Sequence, residues 1–578
     1  MLRPYKKSLT LGLILVALFL SLRLVTPLLI PILVDDVMKA GQFGPTEQQL
    51  LYKVLAGLIA LAISRAAFIY ARSIIFEKIS QNITYDMRVG MYEHLHTLPY
   101  RFYDRHRVGE IMSRMTGDIE SVRNFFAIGI IQIVETIVYY LGSAIIIMCL
   151  SFKVGLVLLL VTPIIAAIAY KFDKTIRPAF QQIREQNATL SNRTQENIAG
   201  ARVVKAYARE QHEEKLFDKE NKKQRNLGIK ITTIFSNFHP IIELVASIIP
   251  ALLLLVGGYL AAQGAVTTGT LIAIFNYLWM LTMPMRMVGN ILNMTSQTIA
   301  SGERIFYYMD FGAYIREKNN AQYPEEFRGH VTFEDVCFSY GDEEVLTDIS
   351  FDVKPGKTLA IMGATGSGKT SIVNLLGRFY ECHHGAVKID GIDVKDYKMK
   401  ALRKNIGYVM QETFLFSDSL GGNIAFGDPD ADQSAIEDAA EIAQARPFIE
   451  EIDEGYDLIV GERGNGLSGG QKQRTAIARS LLINPKILVL DDATAAVDME
   501  TEHRIQQGLK RATEDRTTFI ISHRIASVKN ADEIIVLDGG KIAERGVHDE
   551  LLQKKGLYYN IFMDQYRDYL SIHGKEVS

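Results

Sequence analysis

Cysteine is scarce in this chain. Its 578 residues include three, Cys149, Cys337 and Cys382, so widely spaced that neither a disulfide framework nor a cysteine metal site can be read from them. They suit a reducing cytosol and a membrane interior. Basic excess is also missing: 63 Lys and Arg against 66 Asp and Glu give a formal net charge of −3. Nothing in that balance points to nucleic acid. A small-residue cleavage site is absent behind the N-terminal Met1–Lys7 segment, and the apolar run that follows is too long for a secretory leader. A first spanning helix is expected there instead.

Apolar length is abundant, and it is unevenly placed. Residues 1–300 carry long apolar runs, whereas 330–578 have the composition of a soluble α/β domain. A bilayer core of about 30 Å needs roughly 20 apolar helical residues. Six stretches meet this, at 9–33, 52–76, 126–148, 154–172, 240–262 and 268–290. Lys and Arg are dense in the N-terminal tail, in 78–123 and in 171–230, and sparse in the short loops between spans. The positive-inside rule therefore places both termini and the two long connections on the cytoplasmic side. Ile79–Leu98 and Ile176–Phe235 have helical spacing of apolar residues and are expected to continue as helices below the membrane. Turns at Leu98–Ile111 and Asn197–Tyr207 interrupt them, and exposed polar-aromatic turns at helix tips make good docking surfaces, although a solvated surface turn has the same pattern.

Six ionisable residues fall in or near the spans: Arg23, Arg65, Arg72, Glu135, Glu243 and Arg286. Charge in hydrocarbon is costly and marks functional candidates. Glu135, Glu243 and Arg286 are placed near cytoplasmic ends, where snorkelling or a helix extending into water accounts for them. Arg23 and Arg65 lie deeper, and pairing with acids or lining a wet cavity are the two readings for them. Pro27, Pro31, Pro250 and Pro284 are expected to kink their helices. The aromatic and methionine side chains of the last span, among them Phe275, Tyr277, Trp279 and Met280, suit an adaptable apolar wall or ordinary helix packing.

In the soluble half, 310–328 reads as a linker, and Val331–Tyr340 alternates like an exposed edge strand ending in an aromatic. Tyr340 suits base stacking or packing equally. Thr358–Met362 is an apolar strand followed by Gly363-Ala364-Thr365-Gly366-Ser367-Gly368-Lys369-Thr370 and a helical run from Ser371. The spacing is that of the P-loop. Glycines let the backbone present N–H groups to phosphate oxygens, Lys369 reaches the terminal phosphates, and Thr370 suits Mg²⁺. Gln411 ends a strand at Ile406–Met410, where its amide can touch Mg²⁺ or water; lone glutamines usually do nothing. Residues 420–466 read as a helical insertion. Leu467-Ser468-Gly469-Gly470-Gln471 then opens a helix over Lys472–Ser480, and its free N–H groups suit an anion. A second phosphate site of this kind most naturally serves a nucleotide on another subunit. Lys486–Leu490 is a buried strand ending in Asp491, suited to Mg²⁺, and Asp492, placed to orient or deprotonate a water. Thr517–Ser522 delivers His523, which can contact a γ-phosphate or be structural.

These elements in this order resemble the ABC ATPase. With six preceding spans and two long connections, the chain resembles an ABC half-transporter of the type IV exporter class over residues 1–570. The fold implied is multidomain: a six-helix all-α transmembrane domain with long intracellular extensions (1–309), a linker (310–328) and an α/β P-loop ABC nucleotide-binding domain (329–578). The resemblance implies ATP and Mg²⁺ as cofactors. ATP is bound by Tyr340, Gly363–Thr370 and Ser371; the metal by Thr370, Gln411 and Asp491; catalysis falls to Asp492, His523 and Gln411. Leu467–Gln471 is the signature that faces a partner's ATP. Gly461–Gly464 resembles the X-loop and Ala495–Asp498 the D-loop. The turns near Tyr100–Arg107 and Ala199–Lys205 fall where coupling segments lie.

One position departs from the pattern. The family carries glutamate after the Walker B aspartate, and this chain has Asp492. A carboxylate withdrawn by one methylene loses reach, and misplacement of about 1 Å can cost about 10²-fold. The departure resembles the weak-site subunit of bacterial heterodimeric multidrug exporters. It implies a second half-transporter as partner, with a homodimer as the alternative. The expected activity is ATP-driven efflux of amphipathic small molecules across the cell membrane. Lipid or peptide export is the next reading, and a nucleotide-gated channel-like ATPase comes from another class. No large extra sensor domain speaks for that last one, and no receptor domain speaks for import.

Overall fold

The computed structural model describes residues 3–38, 44–312, 315–495, 497, 499–513 and 516–573. The chain forms two units: Met1–Thr97 with Arg107–Phe311, and Leu98–His106 with Gly312–Ser578.

The described residues of the first unit form helices joined by short turns. Among the described residues, five helices are long and apolar enough to cross a membrane: Arg3–Val37, Pro45–Thr97, Val108–Leu150, Glu210–Ala262 and Thr268–Met309. Five of the six apolar stretches fall within them. The sixth, 154–172, opens the 48-residue helix Phe152–Ala199 and is not among the five. The polar connections are helical as well, since Pro45–Thr97 runs unbroken for 53 residues. Val16, Phe19, Phe76, Tyr139, Ile249 and Ile274 meet in one buried cluster. With lipid as solvent, such packing works by close contact rather than by exclusion of water.

Pro27 sits in a 3₁₀ turn, Thr26–Leu28, and Pro250 precedes a π-helical turn, Leu253–Gly257. The side chains of Pro284 and Arg286 lie outside the described residues. Glu135 is not a snorkelling carboxylate: it accepts from Arg72 Nη1 at 2.6 Å, and Arg72 also lies 4.4 Å from the Phe19 ring. A partner on the neighbouring helix offsets the desolvation that would otherwise drive the carboxylate to water.

Among the described residues, the second unit contains ten strands. In chain order these are β1 (Val331–Tyr340), β2 (Glu343–Val353), β3 (Thr358–Gly363), β4 (His384–Ile389), β5 (Ile392–Asp393), β6 (Ile406–Val409), β7 (Ile487–Asp491), β8 (Thr517–Ile521), β9 (Glu533–Asp538) and β10 (Lys541–Gly546). One sheet runs β2-β1-β4-β5, the other β10-β9-β3-β8-β7-β6. β1 is therefore not an edge strand. It pairs with β2 along its whole length and with β4 from Val331 to Cys337. Register shifts near Phe333–Val336 spoil a strict period of two, and only the end near Tyr340 lacks a second neighbour.

β3, β6, β7, β8 and β9 are mutually parallel where they pair. Their carboxyl ends thus meet at one edge, where open α/β sheets bind ligands. Ile361, Ile521 and Asp491 form one row across β3, β8 and β7. β3 is buried on both faces: Leu359 and Ile361 enter one core cluster, Ala360 and Met362 another. That is why it reads as an unbroken apolar run. A third cluster lies in the segment between β6 and β7, with helices Gln433–Ile442 and Gly469–Leu482. In the stretch before β1, Gln322 forms a bridge with Tyr397, and Lys318 pairs with Asp396 at 2.5 Å.

Candidate functional site

The glycine-rich turn leaves β3 at Gly363, with φ +147. A Cβ there would collide with the carbonyl oxygen of Leu537 and come within 2.7 Å of Ser367 Oγ. Gly368, at φ +96, caps the helix Lys369–Leu376, and a Cβ there would lie 2.6 Å from Leu346. Side chains are thus excluded by both backbone and space. Lys369 Nζ folds back to donate to the carbonyls of Gly363 at 3.0 Å and Ala364 at 2.8 Å. Burial pulls its pKa down, against the pull of Asp491 and Asp492. Ser367 Oγ is buried and has no hydrogen-bond partner among the described residues. An orphaned hydroxyl inside a cradle of glycine amides fits a phosphate oxygen.

Thr370 Oγ1 donates to Asp491 Oδ2 at 2.9 Å. Two hard oxygen ligands this close suit Mg²⁺ completed by phosphates and water. Burial raises the Asp491 pKa, while the Thr370 hydroxyl lowers it and Asp492 raises it. A bound cation would relieve that desolvation. Gln411, Thr370, Asp491 and Tyr340 line one cavity of about 730 Å³. The Ser371 hydroxyl donates to Tyr340 at 3.3 Å, and that ring meets Phe338 and Tyr380 edge-on. It is 39% exposed, so packing and an open face coexist.

Asp492 and His523 do not line that cavity. Asp492 has φ +49, a left-handed position that aspartate tolerates better than most residues. Its Oδ1 accepts from Ser522 Oγ at 3.5 Å. His523 stands two residues beyond the Ile361–Ile521–Asp491 row, exposed, with its carbonyl taken by Gln565.

Leu467–Gln471 is also apart from the cavity. Ser468 caps the helix Gly469–Leu482: its Oγ accepts from the Gln471 amide at 3.3 Å, and its own amide donates to Gln471 Oε1 at 2.8 Å. The helix starts three residues earlier than the sequence suggested, because this reciprocal box forms. Gly469 and Gly470, as first-turn residues, have no intrahelical acceptor for their N–H groups. At the X-loop match, Glu462–Gly464 is one 3₁₀ turn with Arg463 at φ +56. Of the D-loop match, Ala496 and Asp498 lie outside the described residues.

Three groups escaped the sequence reading. Gln473, buried, donates to the Asp492 carbonyl at 3.4 Å and so ties the signature helix to the end of β7. Glu502, buried, accepts from Arg524 at 2.6 Å and from Thr494 at 3.1 Å. Phe379 and Tyr380 receive the Leu98–His106 turn. Tyr100 stacks on Phe379 at 4.6 Å and 2°, the Arg403 guanidinium lies 4.9 Å from that ring, and Tyr380 donates to Asp104 at 2.5 Å. Burial raises the Tyr100 and Tyr380 pKa values, in Tyr380 with the help of Asp104. Two adjacent aromatics one turn beyond the P-loop helix were the available signal. The other turn, Ala201–Ala206, lies in the helical unit with Val203 and Tyr207 exposed.

Comparison with known proteins agrees with this architecture. Residues 9–285 match the ABC transporter transmembrane region and 346–495 match the ABC transporter family. The chain is 39% identical over 567 residues to the uncharacterized ABC transporter ATP-binding protein YknU of Bacillus subtilis, covering 98% of this chain and 96% of that one. It is 34% identical to the putative multidrug export ATP-binding/permease protein YgaD of the same organism, over 97% and 98% of the two chains. An ATP-dependent lipid A-core flippase of Desulfotalea psychrophila is 34% identical over 87% of this chain and 88% of its own. The solved structure of a bacterial Atm1-family ABC exporter with ATP bound superposes with a TM-score of 0.80 at 28% identity, covering 97% of this chain and 98% of that one.

Proposed function

The chain belongs to the ABC transporters and is an exporter half with an ATPase domain; from that premise we propose that it moves amphipathic small molecules out of the cell as one subunit of a heterodimer. Its domains divide at 1–309, 310–328 and 329–578. ATP is held by Tyr340, Gly363–Thr370 and Ser371, with Mg²⁺ at Thr370, Asp491 and Gln411. The bound metal supplies charge neutralisation at the phosphates. Gln411 and His523 orient the attacking water and the γ-phosphate. Leu467–Gln471 presents the amides of Gly469 and Gly470 to a partner's nucleotide. The Tyr100–Phe379 stack and the Tyr380–Asp104 hydrogen bond tie the connection between two helices to the ATPase unit, a route by which closure of the nucleotide sites reaches the spans. Relatives named for multidrug export and for lipid A-core flipping support an amphipathic cargo.

The observation that carries the weak-site reading is Asp492. Its carboxylate is a methylene shorter than the glutamate of the family pattern, it leans on Ser522, and it is not in the lining that holds Thr370 and Asp491. The test is ATP turnover by the purified chain, alone and with a glutamate-bearing sister subunit. Asp492→Glu should raise turnover in the mixed dimer by up to about 10²-fold if reach is the defect. Fast turnover by the chain alone, unchanged by Asp492→Ala, rejects the weak-site reading. ATP-driven uphill efflux of a dye from vesicles separates an exporter from a channel-like ATPase, which passes dye only downhill.

A further inference from the structure

A second cavity, of about 280 Å³, lies in the membrane-spanning unit and is lined by Arg23, Thr26, Arg65, Asn276, Trp279 and Met280 beside Pro27. The apolar stretches 9–33, 52–76 and 268–290 have their midpoints at residues 21, 64 and 279. The cavity is therefore at mid-depth of three spans. The first two spans run antiparallel, with Gly12 against Phe76 and Phe19 under Arg72, which brings residue 23 opposite residue 65. Arg23 continues the buried stripe of Val16, Phe19 and Leu20. Arg65 shares a face with Phe68, Arg72 and Phe76. Both guanidiniums thus point into the unit.

Three arginines share this region, and one is neutralised. Arg72 has Glu135. Among the described residues Arg23 donates to the Tyr139 hydroxyl alone, at 2.9 Å, and it lies 5.0 Å from the Tyr139 and Trp279 rings. Among the described residues Arg65 has no carboxylate partner, and its Nε is buried without an acceptor. A guanidinium does not shed its proton, and positive charge at mid-membrane is strongly disfavoured unless paired. The cavity combines two planar donor forks, which match carboxylate and phosphate oxygens, with an indole and a thioether for an adjoining alkyl segment. Its volume holds about nine waters at about 30 Å³ each, enough for a head group and not for a long chain.

We infer that Arg23 and Arg65 form a receptor for the anionic head group of an amphiphile, a phosphate monoester or carboxylate, whose tail lies along the span walls. That such an amphiphile is cargo rests on the exporter reading above; that the cavity binds it does not. The sequence contains one tryptophan, and Trp279 lines the cavity, so intrinsic fluorescence reports on the site. The full chain in phosphatidylcholine nanodiscs, without nucleotide, is titrated with dodecyl phosphate, dodecanol, dodecyltrimethylammonium and inorganic phosphate. Dodecyl phosphate should give a saturable change at least tenfold tighter than the neutral and cationic amphiphiles. Arg65→Gln should weaken it at least tenfold, with Arg65→Lys retaining part of the affinity, and Arg23→Gln should do the same where it folds. Equal affinity for the three amphiphiles overturns the inference, as does Arg65→Gln binding like the parent. An equal response to inorganic phosphate makes the site one for free anions and overturns the amphiphile claim. In proteoliposomes that hold the chain together with a glutamate-bearing sister subunit, uphill transport of neutral and cationic dyes without anion selectivity in the titration rejects the receptor alone. Selective anion binding without uphill transport of any amphiphile rejects the exporter reading and leaves the receptor standing.

Discussion

The ATPase unit carries two glycine-rich turns built for phosphate, and they differ in completeness. Gly363–Thr370 carries its own cation, Lys369, and has a carboxylate beside it, Asp491, to which Thr370 donates at 2.9 Å. Leu467–Gln471 brings neither. Its two polar side chains, Ser468 and Gln471, are spent on each other in a capping box, and what it offers are backbone amides at a helix start. The first turn has a cation and a carboxylate beside it, while the second offers no charge among its own side chains. The contrast teaches that a phosphate motif is legible as a cradle, but its autonomy depends on the charged groups that the fold brings beside it.

That contrast can be broken. The largest expected effect is Lys369→Ala, which removes charge-assisted hydrogen bonds of about 1.5–3 kcal/mol. ATP affinity of the isolated chain should fall about 10- to 100-fold; unchanged binding would mean that the signature turn holds nucleotide alone. Next comes Gly363→Ala, which forces a side chain into a φ of +147 against the Leu537 carbonyl. A cost of about 1–3 kcal/mol is expected, read as a lower thermal midpoint of the ATPase unit. Ser468→Ala removes a cap and should cost about 1 kcal/mol, with ATP affinity of the isolated chain unchanged. A fall in affinity there would merge the two turns into one site.

The smallest expected effect concerns pH. Burial holds the Asp491 carboxyl above its ordinary pKa, with Thr370 pulling the other way. The folded state therefore binds that proton more tightly than the unfolded chain. The resulting stabilisation is full below about pH 4 and is lost as pH rises through the raised value. At pH 7 without metal the carboxylate opposes folding. Asp491→Asn should raise the nucleotide-free thermal midpoint at pH 7 by about 2–4 °C, the scale of about 1 kcal/mol in a domain of this size. The gain should shrink toward pH 4, and Mg²⁺ should no longer strengthen ATP binding.

Legibility followed the range of the constraint. The P-loop and the signature could be read because each needs glycine at positions where a side chain would clash, and that requirement is written in consecutive residues. The spans could be read from apolar length, and the polar connections from helical spacing. β1 was misjudged as an edge strand because its two neighbours lie at 343–353 and 384–389, and bulges blur its alternation. Neither snorkelling nor a helix end in water accounts for Glu135, and its partner, Arg72, is not legible because it is 63 residues away. Gln473 and Glu502 were invisible for the same reason: their partners, Asp492 and Arg524, meet them only through the sheet.

The sequence by itself determined the kind of molecule: apolar helices, a P-loop, a signature and a shortened carboxylate at Asp492, each a local matter of length, backbone freedom or reach. Tertiary structure alone decided the pairings. It set Thr370 on Asp491, docked Tyr100 on Phe379, matched Arg72 to Glu135 and placed Arg23 and Arg65 around one cavity that no acid lines among the described residues. The physical reason is that a buried charge or ring is stabilised by whatever lies within a few ångströms, and in a chain of this length those neighbours are set by packing rather than by proximity in sequence.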